Sequence, residues 1–182
     1  MRKIKKKHFI VILPIFFFMW LSLSACAGMR LNASAPPHID KQATFAVLYL
    51  SNDTSTPYAG QRVQRQLAAL LGAHGLTHVI IQPSNKNAAL PVGNASGALS
   101  QALGWARAHH ARYAFFGSVD EWRYKIGLDG QPAVGLTLRL IDVNTGKALW
   151  SGVASASGGS REGLAVLSQQ VLNRLVNRLL SD

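Results

Sequence analysis

Cysteine is almost absent from this chain, since Cys26 is the only one among 182 residues. An intrachain disulfide is therefore excluded, and the fold must be stabilised by a hydrophobic core.

Acidic residues are also scarce, with eight Asp and Glu against nineteen Lys and Arg. Five of these bases and none of the acids precede Cys26, so the rest of the chain carries fourteen bases against eight acids, a net charge of +6. This moderate charge suits anionic lipid head groups or glycans. The lack of a Lys/Arg cluster with interleaved aromatics argues against nucleic acid as a partner.

The N-terminus has the three-part layout of a secretory signal. Basic residues precede an apolar run over residues 9–23, and small residues follow before Cys26. The run is broken by Pro14 and is too short for a transmembrane helix, which needs about 20 apolar residues. The ending Leu23-Ser24-Ala25-Cys26 resembles a bacterial lipobox, which implies cleavage before Cys26 and lipidation of its thiol.

The compartment and the domain boundaries follow from this resemblance. Ala27, rather than Asp, follows the cysteine, and by resemblance to bacterial lipoprotein sorting this implies the outer membrane, on its periplasmic face. We expect residues 1–25 to be the lipoprotein signal peptide. Residues 26–41 contain Pro36 and Pro37 and lack apolar periodicity, so they are predicted to be a lipidated N-terminus and tether. Residues 42–182 are predicted to form one periplasmic α/β domain.

Strand and helix patterns follow one another in the order β-α-β-α-β-β-β-α. The continuous apolar run over residues 44–50 is typical of a strand buried on both faces. The predicted strands are 44–50, 77–82, 112–124, 134–143 and 148–156, and the predicted helices are 59–74, 97–110 and 161–180. Alternating strands and helices followed by a meander indicate a single three-layer α/β domain, a mixed β-sheet flanked by helices.

Two segments resemble a known family. In residues 111–119 a strand pattern leads to Gly117-Ser118, and in residues 136–152 the turn Asp142-Val143-Asn144-Thr145-Gly146 precedes Trp150. Together with the first strand and helix, they resemble the periplasmic domain shared by several outer-membrane lipoproteins. Its members include the curli secretion channel CsgG, the penicillin-binding-protein activator LpoB, and PelC of Pel exopolysaccharide export. The resemblance covers most of residues 44–180.

Within this superfamily the sequence favours the PelC-like branch. A CsgG-like channel needs hairpins with about 9–11 residues per membrane-spanning strand, and residues 122–134 are too short and too polar for that. LpoB-like proteins usually carry a long tether, whereas about fifteen residues reach at most ~50 Å here. The PelC resemblance implies a homo-oligomeric ring beneath the outer membrane, beside a β-barrel exporter, that guides a cationic exopolysaccharide into the biofilm matrix. The open alternative is a monomeric tethered lipoprotein that binds or activates another envelope protein, as in the LpoB-like branch.

The sequence shows no catalytic constellation, so we expect neither enzymatic activity nor a cofactor. Asp120 and Glu121 are adjacent, and neighbours on a regular strand point to opposite faces, which would prevent a paired-carboxylate site. With Asp129 they are candidates for an acidic rim that attracts a cationic polymer. His109 and His110 lack further residues at metal-ligand spacing, so no metal site is expected.

Aromatic and basic residues near the hairpin and the last strand are candidates for a membrane interface. Indole rings favour the head-group layer, and neighbouring bases suit anionic lipids. The candidates are Trp150, Trp122, Tyr124, Arg123 and Lys125. For the tryptophans, packing in the core or between strands is an equally open interpretation.

Overall fold

A computed structural model describes residues 28–83, 95–127 and 130–181. In this part of the chain it shows a seven-stranded mixed sheet and three helices, which confirms the predicted fold class. The strands are β1 (Met29–Ala33), β2 (Phe45–Val47), β3 (Ser51–Asn52), β4 (Val79–Ile81), β5 (Tyr113–Tyr124), β6 (Pro132–Asp142) and β7 (Ala148–Ser157). The helices are α1 (Ala59–Ala73), α2 (Ala95–Ala108) and α3 (Leu164–Leu180).

The sheet combines a parallel half with an antiparallel half. Its strand order is β1-β7-β6-β5-β2-β4, and β3 also pairs with β5. β2 runs parallel to both β4 and β5, as expected where helices α1 and α2 connect the strands. β5, β6, β7 and β1 pair antiparallel.

Helices cover the two faces of the sheet unequally. In β2, Phe45 and Val47 join the core beneath α1 and α3, while Ala46 joins the core beneath α2, which explains why the whole strand is apolar. On β7 burial alternates strictly from Trp150 to Ala156, and Val153 is 50% exposed on the side away from α1 and α3. Thr137 lies opposite Val153 on β6. The part of this side of β5, β6 and β7 that carries Asp120, Thr137 and Val153 is called the open face below, whereas Ala114 and Ile141 on the same side are buried beneath α2.

β1 is a strand that the sequence did not predict. Met29 lies opposite Ala156 and Ala33 lies opposite Gly152 on β7, and Leu31 packs against the main core. The expected tether over residues 26–41 is therefore wrong for residues 29–33, because they form a strand of the sheet. Met29, Leu31 and Ala33 alternate with the polar Arg30 and Asn32, which is the period-two pattern of a half-buried strand, although it extends over only five residues. Cys26 lies outside the described residues.

Asp142 organises the turn between β6 and β7. Its Oδ1 accepts hydrogen bonds from the backbone N–H of Thr145 at 2.8 Å and from the hydroxyl of Thr145 at 2.9 Å. The bond from the Thr145 backbone is the main cause that lowers the pKa of Asp142 below its ordinary value. Gly146, at φ +72°, donates to the Asp142 carbonyl and completes the turn. This motif of the family resemblance thus has a structural role at this end of the sheet.

Candidate functional site

A β-bulge places both candidate acids on the open face. The register between β5 and β6 shifts between Val119 and Glu121, which leaves Asp120 as the extra residue. A Cβ built on Gly135 would lie 3.3 Å from the Cβ of Glu121 and 3.8 Å from that of Asp120. The expectation that the two acids point to opposite faces is therefore wrong, because a bulge sets two residues of one strand against one of its partner.

The Asp120 carboxylate is held in one orientation by two hydroxyl groups. Its Oδ1 accepts a hydrogen bond from Ser118, and its Oδ2 accepts one from Thr137 Oγ1 at 2.7 Å. Ser118 and Thr137 lie opposite each other on β5 and β6. Hydrogen bonds to an ionised carboxylate are short and strong. Both donors are neutral, so they orient the negative charge without cancelling it, and the residue is exposed.

Glu121 differs from Asp120 because it has a cationic partner. Its Oε1 accepts a hydrogen bond from Arg123 Nε at 2.9 Å, with the side chains of Glu121 and Arg123 31% and 61% exposed. This pair is locally neutral, and a pair this exposed contributes little to stability. Asp129, the third candidate for the acidic rim, lies outside the described residues.

The two candidate tryptophans are core residues. Trp150 is 2% exposed and Trp122 is 3% exposed, and both belong to the core between the sheet and helices α1 and α3. In this fold neither indole can reach lipid head groups, so their assignment as membrane-interface residues is corrected in favour of core packing. Trp122 still helps to shape the neighbouring loop, because its carbonyl accepts a hydrogen bond from Thr56 Oγ1 at 2.7 Å.

The remaining interface candidates are exposed on the hairpin between β5 and β6. Tyr124 is 52% exposed, and Lys125 donates from Nζ to Ser157 Oγ at 2.6 Å. Beside them the structure adds Ile126, which the sequence reasoning missed and which is fully exposed. The sequence signal that could have identified Ile126 was its position as an apolar residue between Lys125 and Gly127, next to a predicted turn.

No metal site is formed within residues 28–83, 95–127 and 130–181, where no three His, Cys, Asp or Glu side chains come together. His109 instead packs its ring against Trp105, with 4.3 Å between the ring centroids, and its Nδ1 lies 2.8 Å from the Trp105 carbonyl. None of the helices in this same part of the chain has the length and apolar character needed to cross a bilayer.

Solved structures resemble the chain over most of its length. The PelC dodecamer from Paraburkholderia phytofirmans is 33% identical, with a TM-score of 0.73 over 85% of this chain and 99% of that one. A substituted form of that dodecamer is also 33% identical, with a TM-score of 0.70 over 82% and 98%. The hypothetical protein CT253 from Chlamydia trachomatis, at 12% identity and a TM-score of 0.50 over 78% and 99%, shares the fold. No protein-family model and no curated protein matches the chain.

Proposed function

The chain belongs to the PelC family, and on that premise we propose that it is an outer-membrane lipoprotein that assembles into a closed ring and assists exopolysaccharide export. The observation that supports this is the 33% identity with a PelC dodecamer across 99% of that protein's length. The proposed cargo is a cationic, Pel-like polysaccharide destined for the biofilm matrix, and the proposed partner is a β-barrel exporter. The role includes no catalytic step.

The proposed location is the periplasmic face of the outer membrane, with the lipid on Cys26 as the anchor. The signal peptide over residues 1–25 would direct export, and the cysteine would receive the acyl chains after cleavage. Several acyl chains give stable anchoring, since each buried CH2 group contributes about 0.8 kcal/mol and one chain alone holds a protein only marginally.

In a ring, an acidic residue that is exposed once per protomer is repeated as a circle of negative charges. In a closed ring every copy presents the same residues at the same radius, and repeated charges add to a field that concentrates an oppositely charged polymer. Glu121 is neutralised by Arg123, whereas the donors to Asp120 are uncharged. Of these two acids, we therefore assign attraction of the cationic polymer to Asp120 rather than to Glu121.

Particle mass tests the ring. The lipidated protein, extracted from membranes in mild detergent, is expected to give closed rings in electron micrographs and a single high mass by light scattering after subtraction of the detergent. A uniform monomer at high protein concentration would overturn the ring and would favour the LpoB-like alternative, a tethered module that binds or activates another envelope protein.

Asp120→Asn is expected to lower polysaccharide export several-fold while leaving the ring intact. The amide keeps the size of the carboxylate and can still accept hydrogen bonds from Ser118 or Thr137, but it removes the charge. The readout is the extracellular polymer produced by cells that carry the variant, together with the particle mass of the purified variant.

The matched control for Asp120→Asn is the double variant Glu121→Gln with Arg123→Gln. It removes a neutral ion pair from the same face and leaves the local net charge unchanged, so export is expected to stay near the wild-type level. Wild-type export by Asp120→Asn with an intact ring would refute the role of this carboxylate without affecting the ring itself.

A further inference from the structure

The strands β2, β4 and β5 all begin at the end of the sheet where the turn between β6 and β7 lies. Tyr113, the first residue of β5, pairs with Asp142, the last residue of β6. Phe45, the first residue of β2, pairs with Tyr113 and with Val79, the first residue of β4. Helices α1 and α2 therefore end there, since they lead directly into β4 and β5. We call this region the turn end, and it comprises residues 36–44, 74–79, 107–113, 142–147 and 178–181.

A groove crosses the turn end between the segment that joins β1 to β2 and the last turn of α3. The N–H of Asp40 donates to the hydroxyl of Tyr113 at 3.3 Å, which holds this segment against the start of β5. The groove has a volume of about 430 Å³. Its aliphatic lining includes Pro37, Ile39, Leu179 and Leu180, beside the exposed His38 and Ser181.

Positive charge is in excess at the turn end. The described acids here are Asp40 and Asp142, and both act on Arg112. The hydrogen bond to Tyr113 is the main cause that raises the pKa of Arg112, and the two carboxylates raise it further. Asp182 lies outside the described residues. The bases at this end, all of them exposed, are Lys41, Arg107, Arg112, Lys147 and Arg178, and the described histidines, which add positive charge when protonated, are His38, His74, His78, His109 and His110.

Arg178 is the base that the chain itself places beside the groove. It precedes Ser181 by three residues, a spacing that puts two side chains on the same side of a helix. The Ser181 hydroxyl donates to the Arg178 carbonyl at 3.1 Å. Because Ser181 lines the groove and Arg178 is exposed, the guanidinium group can reach a ligand in the groove.

This combination fits an acidic peptide that carries an aliphatic side chain. An aliphatic lining favours burial of an apolar side chain, and arginine binds carboxylates through paired hydrogen bonds. A glycan fits less well, because its hydroxyl groups would be buried against aliphatic carbon without hydrogen-bond partners. The positive charge also repels the cationic polymer that is proposed as the cargo, so the turn end and Asp120 serve different ligands.

The turn end lies far from the first described strand residue. Met29 pairs with Ala156 near the end of β7, whereas the turn end lies at the start of β7. The ten residues of β7 extend over roughly 34 Å. An anchor on Cys26, three residues before Met29, therefore leaves the turn end open to soluble proteins of the periplasm.

We propose that the groove at the turn end is a docking site for an acidic segment of a soluble periplasmic protein. One aliphatic side chain of that segment fills the groove, and its carboxylates bind Arg178 and the neighbouring bases. The site goes beyond the export role, because its chemistry does not depend on the ring. Only the compartment of the partner rests on the proposed lipidation of Cys26.

Two fluorescein-labelled peptides of equal charge test the chemistry of the occupant. The first has a pair of leucines flanked on each side by a pair of glutamates, and the second has serines in place of the leucines. Fluorescence anisotropy is measured with the full-length lipidated protein in mild detergent, with detergent alone as the blank. The leucine peptide is expected to bind at least about tenfold more tightly, because an aliphatic side chain is buried in the groove.

Arg178→Glu and Arg161→Glu form a matched pair for the charge. Both arginines are exposed, and both substitutions change the net charge by the same amount. They are separated by most of α3, a helix of 17 residues that is about 25 Å long, whereas charges are screened over about 8 Å at physiological salt. Arg178→Glu is expected to weaken binding of the leucine peptide about fivefold, the upper end for one exposed ion pair, while Arg161→Glu leaves it unchanged.

Ser181→Trp and Asn177→Trp form a matched pair for the groove. Both side chains are exposed at the C-terminal end of α3, so neither substitution alters the core, but of the two only Ser181 lines the groove. An indole at position 181 is expected to fill the groove and to abolish the difference in affinity between the two peptides. Asn177→Trp is expected to keep that difference.

Equal affinity for the two peptides in the unsubstituted protein would overturn the proposal. So would an equal loss in Arg161→Glu and Arg178→Glu, or a preference for leucine that survives Ser181→Trp. Purified peptidoglycan sacculi are tested with the same samples: if they retain the protein through Arg178 while the leucine peptide does not bind, the occupant is an anionic glycan and the peptide assignment is wrong. The particle mass of each sample is read separately, so failure of the docking site leaves the ring and the export role standing.

Discussion

Replacing Trp150 with alanine is expected to lower the free energy of unfolding by about 3–5 kcal/mol, the usual cost of deleting a large buried aromatic. The side chain is 2% exposed. Its ring lies directly over Gly152, where a Cβ would come within 2.5 Å of Trp150 Cη2 and 2.9 Å of Leu175 Cδ2. The contact between β7 and α3 is therefore made here by Trp150, Gly152 and Leu175. Removing the indole leaves a cavity at this contact. Urea unfolding of the detergent-solubilised protein, followed by circular dichroism, measures the loss.

Trp105→Ala is the matched control for this substitution. Trp105 is half-buried on α2 and packs against His109, so its removal is expected to cost about 1 kcal/mol, as is common for a single substitution. If Trp150→Ala kept wild-type stability and instead released the protein from membranes, Trp150 would belong to the membrane interface and the core assignment would fail.

Trp150→Phe distinguishes packing from hydrogen bonding at the same position. Within the described structure Trp150 Nε1 is buried and has no hydrogen-bond partner, and an unsatisfied buried donor costs about 1–3 kcal/mol. Phenylalanine removes this unsatisfied donor, which favours the folded state, and it also removes part of the ring, which leaves a small cavity and disfavours it. These two effects on stability partly cancel. We expect Trp150→Phe to lose less stability than Trp150→Ala.

The core position of Trp150 could be read from the sequence. Along β7, Trp150 shares its phase with Ala154 and Ala156, which are apolar, while the opposite phase carries Ser151 and Ser155. A period of two with one apolar phase indicates a half-buried strand. Indole rings also favour membrane interfaces, but the period-two pattern is the stronger signal because every second residue of the strand contributes to it.

The bulge at Asp120 could not be predicted in the same way, because Asp120 becomes an extra residue only when the register against β6 is known. The edge strand β1 does carry a period-two pattern, since Met29, Leu31 and Ala33 alternate with Arg30 and Asn32, but the pattern spans only five residues. Gly135 is the one feature of the sequence that partly indicates the bulge, since a side chain at this position would crowd the Cβ of Glu121. The long elements were predicted because their periodicity is local and extends over ten or more residues.

Gly117→Ala is expected to be as damaging as the loss of Trp150, by a different cause. A Cβ on Gly117 would collide with the carbonyl oxygen of Thr137 and lie 3.1 Å from the Cα of Leu138, both in the backbone of β6. Backbone atoms cannot rotate away as a flexible side chain can, so β5 and β6 must separate. We expect a loss of at least about 3 kcal/mol, at the upper end of the range for overpacking, seen as a lower urea midpoint and a lower yield of folded protein.

Gly104→Ala tests whether this loss is specific to the position. Gly104 lies within α2 and has open space where a Cβ would be, so alanine is expected to stabilise the helix by about 0.5–1 kcal/mol. Unchanged stability in Gly117→Ala would mean that β5 and β6 are farther apart at this point than the structure shows.

The close approach at Gly117 also connects the fold to the proposed function. Gly117 sits beside Ser118, and Ser118 and Thr137 are the two hydroxyl donors that hold the Asp120 carboxylate. A wider gap between β5 and β6 would move Thr137 away and release that carboxylate. At a temperature where Gly117→Ala is still folded, polysaccharide export is therefore expected to fall toward the level of Asp120→Asn, whereas Gly104→Ala leaves it unchanged. Full export by folded Gly117→Ala would show that attraction of the polymer does not depend on a fixed orientation of Asp120.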